Sequence, residues 1–190
     1  MRLLSVNVGK VQPLLAGGRT VASAIGKRAV AGPVNVHELG LEGDEQADPS
    51  VHGGPSKAVY AYPQEHAAFW RTVRAQAQVS LWDDDLPPGF AGENLSLTGL
   101  LENQVWVGDR LRFAGCVLVV SEPRLPCFKF NAAMGFAHAV KMMAQSGYCG
   151  FYLAVLQPGR IAAGEAFELQ PGPRHLAIPE LFRARMAKSG

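Results

Sequence analysis

Three cysteines in 190 residues are too few, and odd in number, for a disulfide framework or a paired zinc knuckle. Charge is also scarce. Charged residues make up 18% of the chain and the net charge is +2, so no global field draws it to a nucleic acid polymer or a membrane surface. No apolar run approaches the ~20 residues of a membrane-spanning helix, and the opening Met1-Arg2-Leu3-Leu4-Ser5-Val6-Asn7 lacks the long apolar core of a secretory signal. Together these predict a protein of the reducing cytoplasm. GxGxxG, Walker-type, HExxH and GxSxG motifs are all missing, which removes support for nucleotide, zinc-protease and α/β-hydrolase readings. No iron–sulfur or flavin motif is visible either.

What is present is a hydrophobic content of 48%, enough at this length for one large domain with its own core. Alternation over residues 2–8 predicts a strand with Leu4, Val6 and Val8 on one face and Ser5 and Asn7 on the other. Further strands are expected at Thr20–Ile25, Val30–Leu39, Lys57–Tyr62, Asn94–Leu97, Gln104–Val107, Arg110–Phe113, Cys116–Ser121, Phe151–Leu156 and Ala166–Leu169. Helical spacing runs from Pro63 through His66, Phe69, Trp70, Val73 and Ala77, and again from Asn131 to about Gln145. Ile178–Lys188 reads as a short basic helix. The rhythm of short strands and tight turns predicts a mainly β fold, a barrel or sandwich with a few α-helices packed on it.

Three segments could carry chemistry. In Pro123-Arg124-Leu125-Pro126-Cys127-Phe128-Lys129, two prolines restrict the backbone around the cysteine, just after the apolar run Val117–Val120. Arg124 and Lys129 would favour the thiolate, which is the metal-binding and nucleophilic form. The alternative is a buried, inert cysteine, the role assigned to Cys116; Cys149 carries no signal either way. The second segment holds Asp44, Asp48, His52, Gly53, Gly54 and Lys57, where glycines could let the backbone form an anion nest and His52 and Lys57 could add donors. An ordinary surface loop is the alternative. An Asp44–Asp48–His52 metal face needs a helix that Pro49 and the glycines forbid. In the third, Gly92, Glu93 and Asn94 could meet the edge of a heterocycle or cap a turn. Lys10, Arg19, Lys27 and Arg28 are expected to be solvated. A Cys–His hydrolase pairing Cys127 with His52 or His138 is conceivable, with nothing to place either histidine near the thiol.

Taken together, Gly40–Asp48 with His52-Gly53-Gly54, then Gly92-Glu93-Asn94-Leu95, then Pro123–Cys127 resemble, in order and spacing, the MOSC (molybdenum cofactor sulfurase C-terminal) domain, and within it the bacterial YiiM-like branch. The resemblance implies a MOSC-type β-barrel over residues 1–172, with 173–190 a short C-terminal helix or tail in place of that branch's longer helical extension. It implies a pocket for the molybdenum cofactor (molybdopterin-bound molybdenum) with Cys127 as metal ligand. Arg124 and Lys129 would serve the cofactor's phosphate or the thiolate. Asp44, His52, Gly53, Gly54, Lys57, Gly92, Glu93 and Asn94 would form the pocket wall. The implied activity is reduction of N-hydroxylated small molecules such as hydroxylaminopurine or amidoximes, with electrons from a separate flavin or iron–sulfur reductase. A homodimer is compatible with it. The other function in keeping with the short C-terminus is a non-catalytic cofactor carrier or a sulfur- or redox-responsive thiol module.

Overall fold

The computed structural model describes residues 1–48 and 53–188. Its elements are β1 (Arg2–Val8), β2 (Gln12–Ala16), β3 (Arg19–Ser23), β4 (Arg28–Ala29), β5 (Val34–His37), β6 (Gly40–Leu41), β7 (Val59–Pro63), α1 (Ala67–Gln76), β8 (Leu95–Thr98), β9 (Arg110–Arg112), β10 (Val117–Pro123), α2 (Phe128–Met134), α3 (Ala139–Ser146), β11 (Phe151–Gln157), β12 (Gly159–Ile161), β13 (Glu168–Gln170) and α4 (Ile178–Lys188). Eight strands form one mixed sheet in the order β13-β9-β10-β11-β7-β8-β1-β4, parallel only between β7 and β8. A second sheet has the order β12-β5-β6, and β2 and β3 form a separate hairpin.

Among the described residues the fold is therefore mainly β with four helices, as expected, and no closed barrel is found in their strand ladders. The segment before β13 meets β1 through an antiparallel bridge, Arg2 to Ala166, and through backbone hydrogen bonds from Leu3 N–H to the Glu165 carbonyl and from Gly164 N–H to the Leu3 carbonyl. No helix among the described residues is long and apolar enough to cross a membrane.

The register of β1 overturns the expected faces. Its pairing with β8 shifts between Leu3 and Ser5, so Leu3 and Val6 are buried while Leu4 is 44% exposed. A bulge resets which residues point inward. Ser5 and Asn7 are buried too, and they are satisfied: the Ser5 hydroxyl donates to Asn7 Oδ1, and the Asn7 amide donates to the Glu93 carbonyl and Ser96 Oγ.

Other departures have local causes. Pro63 ends β7 instead of starting a helix; a 3-10 turn, Gln64–His66, leads into α1, which buries Trp70 and Ala75. Gln104–Val107 is not a strand but a 3-10 turn, Glu102–Gln104, followed by a bridge from Trp106 to Ala177. The helix expected from Asn131 to Gln145 splits in two. Gly135 takes φ 81°, the left-handed conformation that glycine adopts cheaply at a helix end. Asn131, inside α2, accepts the Val140 N–H of α3 through its side chain at 2.8 Å.

The core runs between the large sheet and the helices and includes Leu3, Leu95, Leu97, Leu111, Leu118, Phe151, Trp70, Phe130 and Phe182. Aromatic edges lock it: Trp70 meets Phe130 edge-on at 5.3 Å and donates its indole N–H to the Tyr62 hydroxyl at 2.6 Å. This frame sets β7 and β11 side by side, next to the loops that precede β8 and follow β10, and those loops carry the candidate site.

Candidate functional site

A cleft of about 670 Å³, open mouth included, lies where β7, β11 and the loop after β10 face the end of the β2–β3 hairpin and the loop after β6. Concave junctions of this kind are where small molecules bind. Cys127, Arg124, Lys129, Lys57, Asp44, Asn94 and Gly92 all line it, so segments of the chain from Ser23 to Tyr152 converge there. Asp48 also lines the cleft.

Cys127 sits between β10 and α2 with extended backbone (φ −123°, ψ 171°), partly exposed, on a loop held by Pro123 and Pro126. Cys116 and Cys149 are buried, and burial pushes both thiols up, Cys116 to about 12 and Cys149 well above its ordinary value. Cys127 is thus the one cysteine that the cleft can reach.

Arg124 is only 6% exposed. Its guanidinium lies 4.6 Å from the Phe130 ring centre and 5.3 Å from that of Tyr60, and it donates to Met143 Sδ at 3.6 Å. No carboxylate of the described residues pairs with it. Burial works against its charge, yet its pKa is raised, the anionic forms of Tyr60, Tyr152, Cys127 and Tyr62 favouring the guanidinium more than burial disfavours it. A buried cation with no carboxylate partner among the described residues, beside an open cleft, favours an anionic ligand. Lys129 donates to the Ala22 carbonyl at 2.9 Å, tying α2 to the hairpin, and Lys57 stands 6.0 Å from the Tyr152 ring centre.

The opposite wall is a closed polar network. Asp44 Oδ1 accepts the Gly9 N–H at 2.8 Å and Lys27 Nζ at 2.5 Å, and its Oδ2 accepts the Asn94 amide at 2.8 Å. Asn94 also donates to the Asn7 carbonyl, and its Oδ1 accepts the Tyr60 N–H. Lys27, expected to be solvated, is in fact a buried partner, its side chain 9% exposed beside Asp44 at 5%. Gly92 adopts φ +83°, and a Cβ there would come within 2.7 Å of Ile25 Cγ1, so the residue is fixed both by conformation and by close approach.

Glu93 does not line the cleft. It is fully buried, its Oε1 accepting the Gly89 N–H and the Ser96 hydroxyl and its Oε2 the Ala91 N–H, so it holds the preceding turn. Burial raises its carboxyl pKa against the pull of those bonds. Gly53 and Gly54 precede the 3-10 turn Pro55–Lys57 and are not cleft-lining; His52 lies outside the described residues. Tyr60 and Tyr152 line the cleft, yet no sequence motif singles them out. They are register partners on β7 and β11, a pairing that no local pattern announces. Among the described residues no three His, Cys, Asp or Glu side chains converge to hold a bare metal ion.

The MOSC domain model matches residues 48–168. The Escherichia coli protein YiiM is 40% identical over 167 residues, spanning 87% of this chain and 70% of that protein. A protein of Gibberella moniliformis named "Reductase" is 36% identical over 188 residues, 96% of this chain but 32% of that protein. The crystal structure of YiiM from Geobacillus stearothermophilus superposes with a TM-score of 0.77 at 31% identity, covering 98% of this chain and 84% of that one. With more than half its length matched by the family model, the chain belongs to the MOSC domain family.

Proposed function

We propose that this protein binds the molybdenum cofactor with Cys127 Sγ as the protein's ligand to the metal and reduces N-hydroxylated small molecules. The observation that carries the reading is the placement of a reachable thiol in a cleft beside buried Arg124, which pairs with no carboxylate among the described residues. The donor set fits the group. A metal that arrives inside an organic dithiolene needs one soft protein ligand, not a cluster of three, and a thiolate is that ligand. The cofactor's phosphate is anionic, and Arg124, Lys57 and Lys129 line the same cleft. Membership of a family that includes YiiM and a protein named as a reductase supports the assignment.

When bound and reduced, the molybdenum centre supplies the two electrons that convert R–NHOH and two protons into R–NH2 and water. The chain's own residues bind and orient. Arg124, held against the Phe130 and Tyr60 rings, presents fixed positive charge to anionic groups in the cleft. Asp44, Asn94 and Lys27 hold three loops in register so that the wall keeps its shape. Electrons come from a separate flavin or iron–sulfur reductase, and the setting is the cytoplasm. The test is turnover of benzamidoxime by loaded protein with such a reductase. Native turnover that is lost in Cys127→Ser supports the reading; turnover retained in Cys127→Ser contradicts it, and loaded native protein without turnover points to a cofactor carrier.

A further inference from the structure

Tyr152 lies on β11, directly opposite Tyr60 of β7, with its ring 5.3 Å from that of Tyr60 and partly exposed in the cleft that also holds Cys127 and Arg124. Its neighbour Phe151 points the other way and is fully buried, so the strand's alternation fixes the tyrosine's direction. Tyr60 differs in one respect. Its hydroxyl donates to the Cys149 carbonyl at 2.8 Å, whereas the Tyr152 hydroxyl bonds to no group among the described residues. A rigid phenol with an uncommitted O–H in a ligand cleft has a donor to offer.

Resting on the function proposed above, we infer that the Tyr152 hydroxyl binds the oxygen of the N–OH group and gives it a proton as the N–O bond breaks. The balance is R–NHOH + 2e⁻ + 2H⁺ → R–NH2 + H2O. The electrons come from the reduced cofactor. Tyr152 gives the proton that leaves with oxygen, and cleft water gives the second proton and the one that restores the phenol. Hydroxide leaving without a proton is a poor outcome, since it is a far stronger base than a phenolate; even a weakly acidic phenol improves it. Burial raises the Tyr152 pKa, which keeps the proton in place at neutral pH, and Arg124 opposes that rise by favouring the phenolate left behind. Lys57, 6.0 Å from the ring centre, adds positive charge on the same side.

Tyr152→Phe keeps the ring and removes the hydroxyl. In loaded protein the expected result is an unchanged molybdenum and pterin content with kcat for benzamidoxime lowered about 100-fold. Titrating benzamidoxime into the oxidised, non-turning-over protein should give an affinity weaker by roughly three- to ten-fold, a readout independent of turnover. Native-like kcat, unchanged affinity, or loss of molybdenum would each overturn the inference, the last by making Tyr152 a cofactor contact. Normal turnover in Tyr152→Phe sinks this inference alone. Native protein that carries molybdenum yet reduces no amidoxime sinks the proposed function, and this inference with it.

Discussion

The two walls of the cleft are built on opposite principles. On one side Asp44, Asn94 and Lys27 satisfy each other and the backbone of Gly9 and Tyr60, leaving little to offer a ligand. On the other, Arg124 has no carboxylate and Tyr152 no hydrogen-bond partner among the described residues, and Cys127 is open to the cleft. A saturated network fixes geometry, because any missing member leaves a buried polar group stranded. An unsaturated one holds donors and charge in readiness for something that arrives. The contrast separates scaffold from chemistry.

The largest effect should come from the open wall: Cys127→Ser is expected to lower N-hydroxy reduction by more than about 100-fold with little change in thermal stability, as steady-state rates and melting curves would tell. Next is the closed wall. Asp44→Ala strands Lys27 in a buried site and should cost about 3–5 kcal/mol in denaturant unfolding. Arg124→Met sharpens the difference, since it removes a buried charge that has no carboxylate partner among the described residues. Stability should stay within about 1 kcal/mol of native while cofactor loading falls roughly ten-fold. An Arg124→Met protein as unstable as Asp44→Ala would erase the distinction.

Smaller still is the response of the cysteines to alkali. Thiol labelling of native protein should modify Cys127 first, with Cys116 and Cys149 reacting only on unfolding. The folded Cys116 thiol holds its proton up to about 12, above its ordinary 9.0. Its contribution to stability is therefore full below about pH 9 and is lost as pH rises through that window, a loss that Cys116→Ala removes. Fast labelling of Cys116 at about pH 8, below the ordinary thiol range, would contradict the burial.

Much of the candidate cleft was legible because its signals were local. The prolines around Cys127 mark its loop, and glycines at 40 and 92 mark the approaches. What was not legible depends on partners distant in sequence. Lys27 reads as a surface lysine until Asp44 is folded against it, and Tyr60 reads only as one residue of an expected strand until β11 brings Tyr152 opposite. Glu93, grouped with Gly92 and Asn94 by adjacency, turns inward to hold the Gly89 and Ala91 N–H groups. In β1 the bulge between Leu3 and Ser5 resets the faces that alternation predicts, and the split at Gly135 follows from a left-handed residue inside an otherwise helical pattern.

Cofactor ligation by Cys127 is tested most directly by the molybdenum and oxidised-pterin content per chain of native and Cys127→Ser protein, both purified from cells overproducing the cofactor. Both are expected in the native protein, with molybdenum lost from the variant. Equal molybdenum in the two, or none in native protein beside a loaded control enzyme from the same cells, would contradict it.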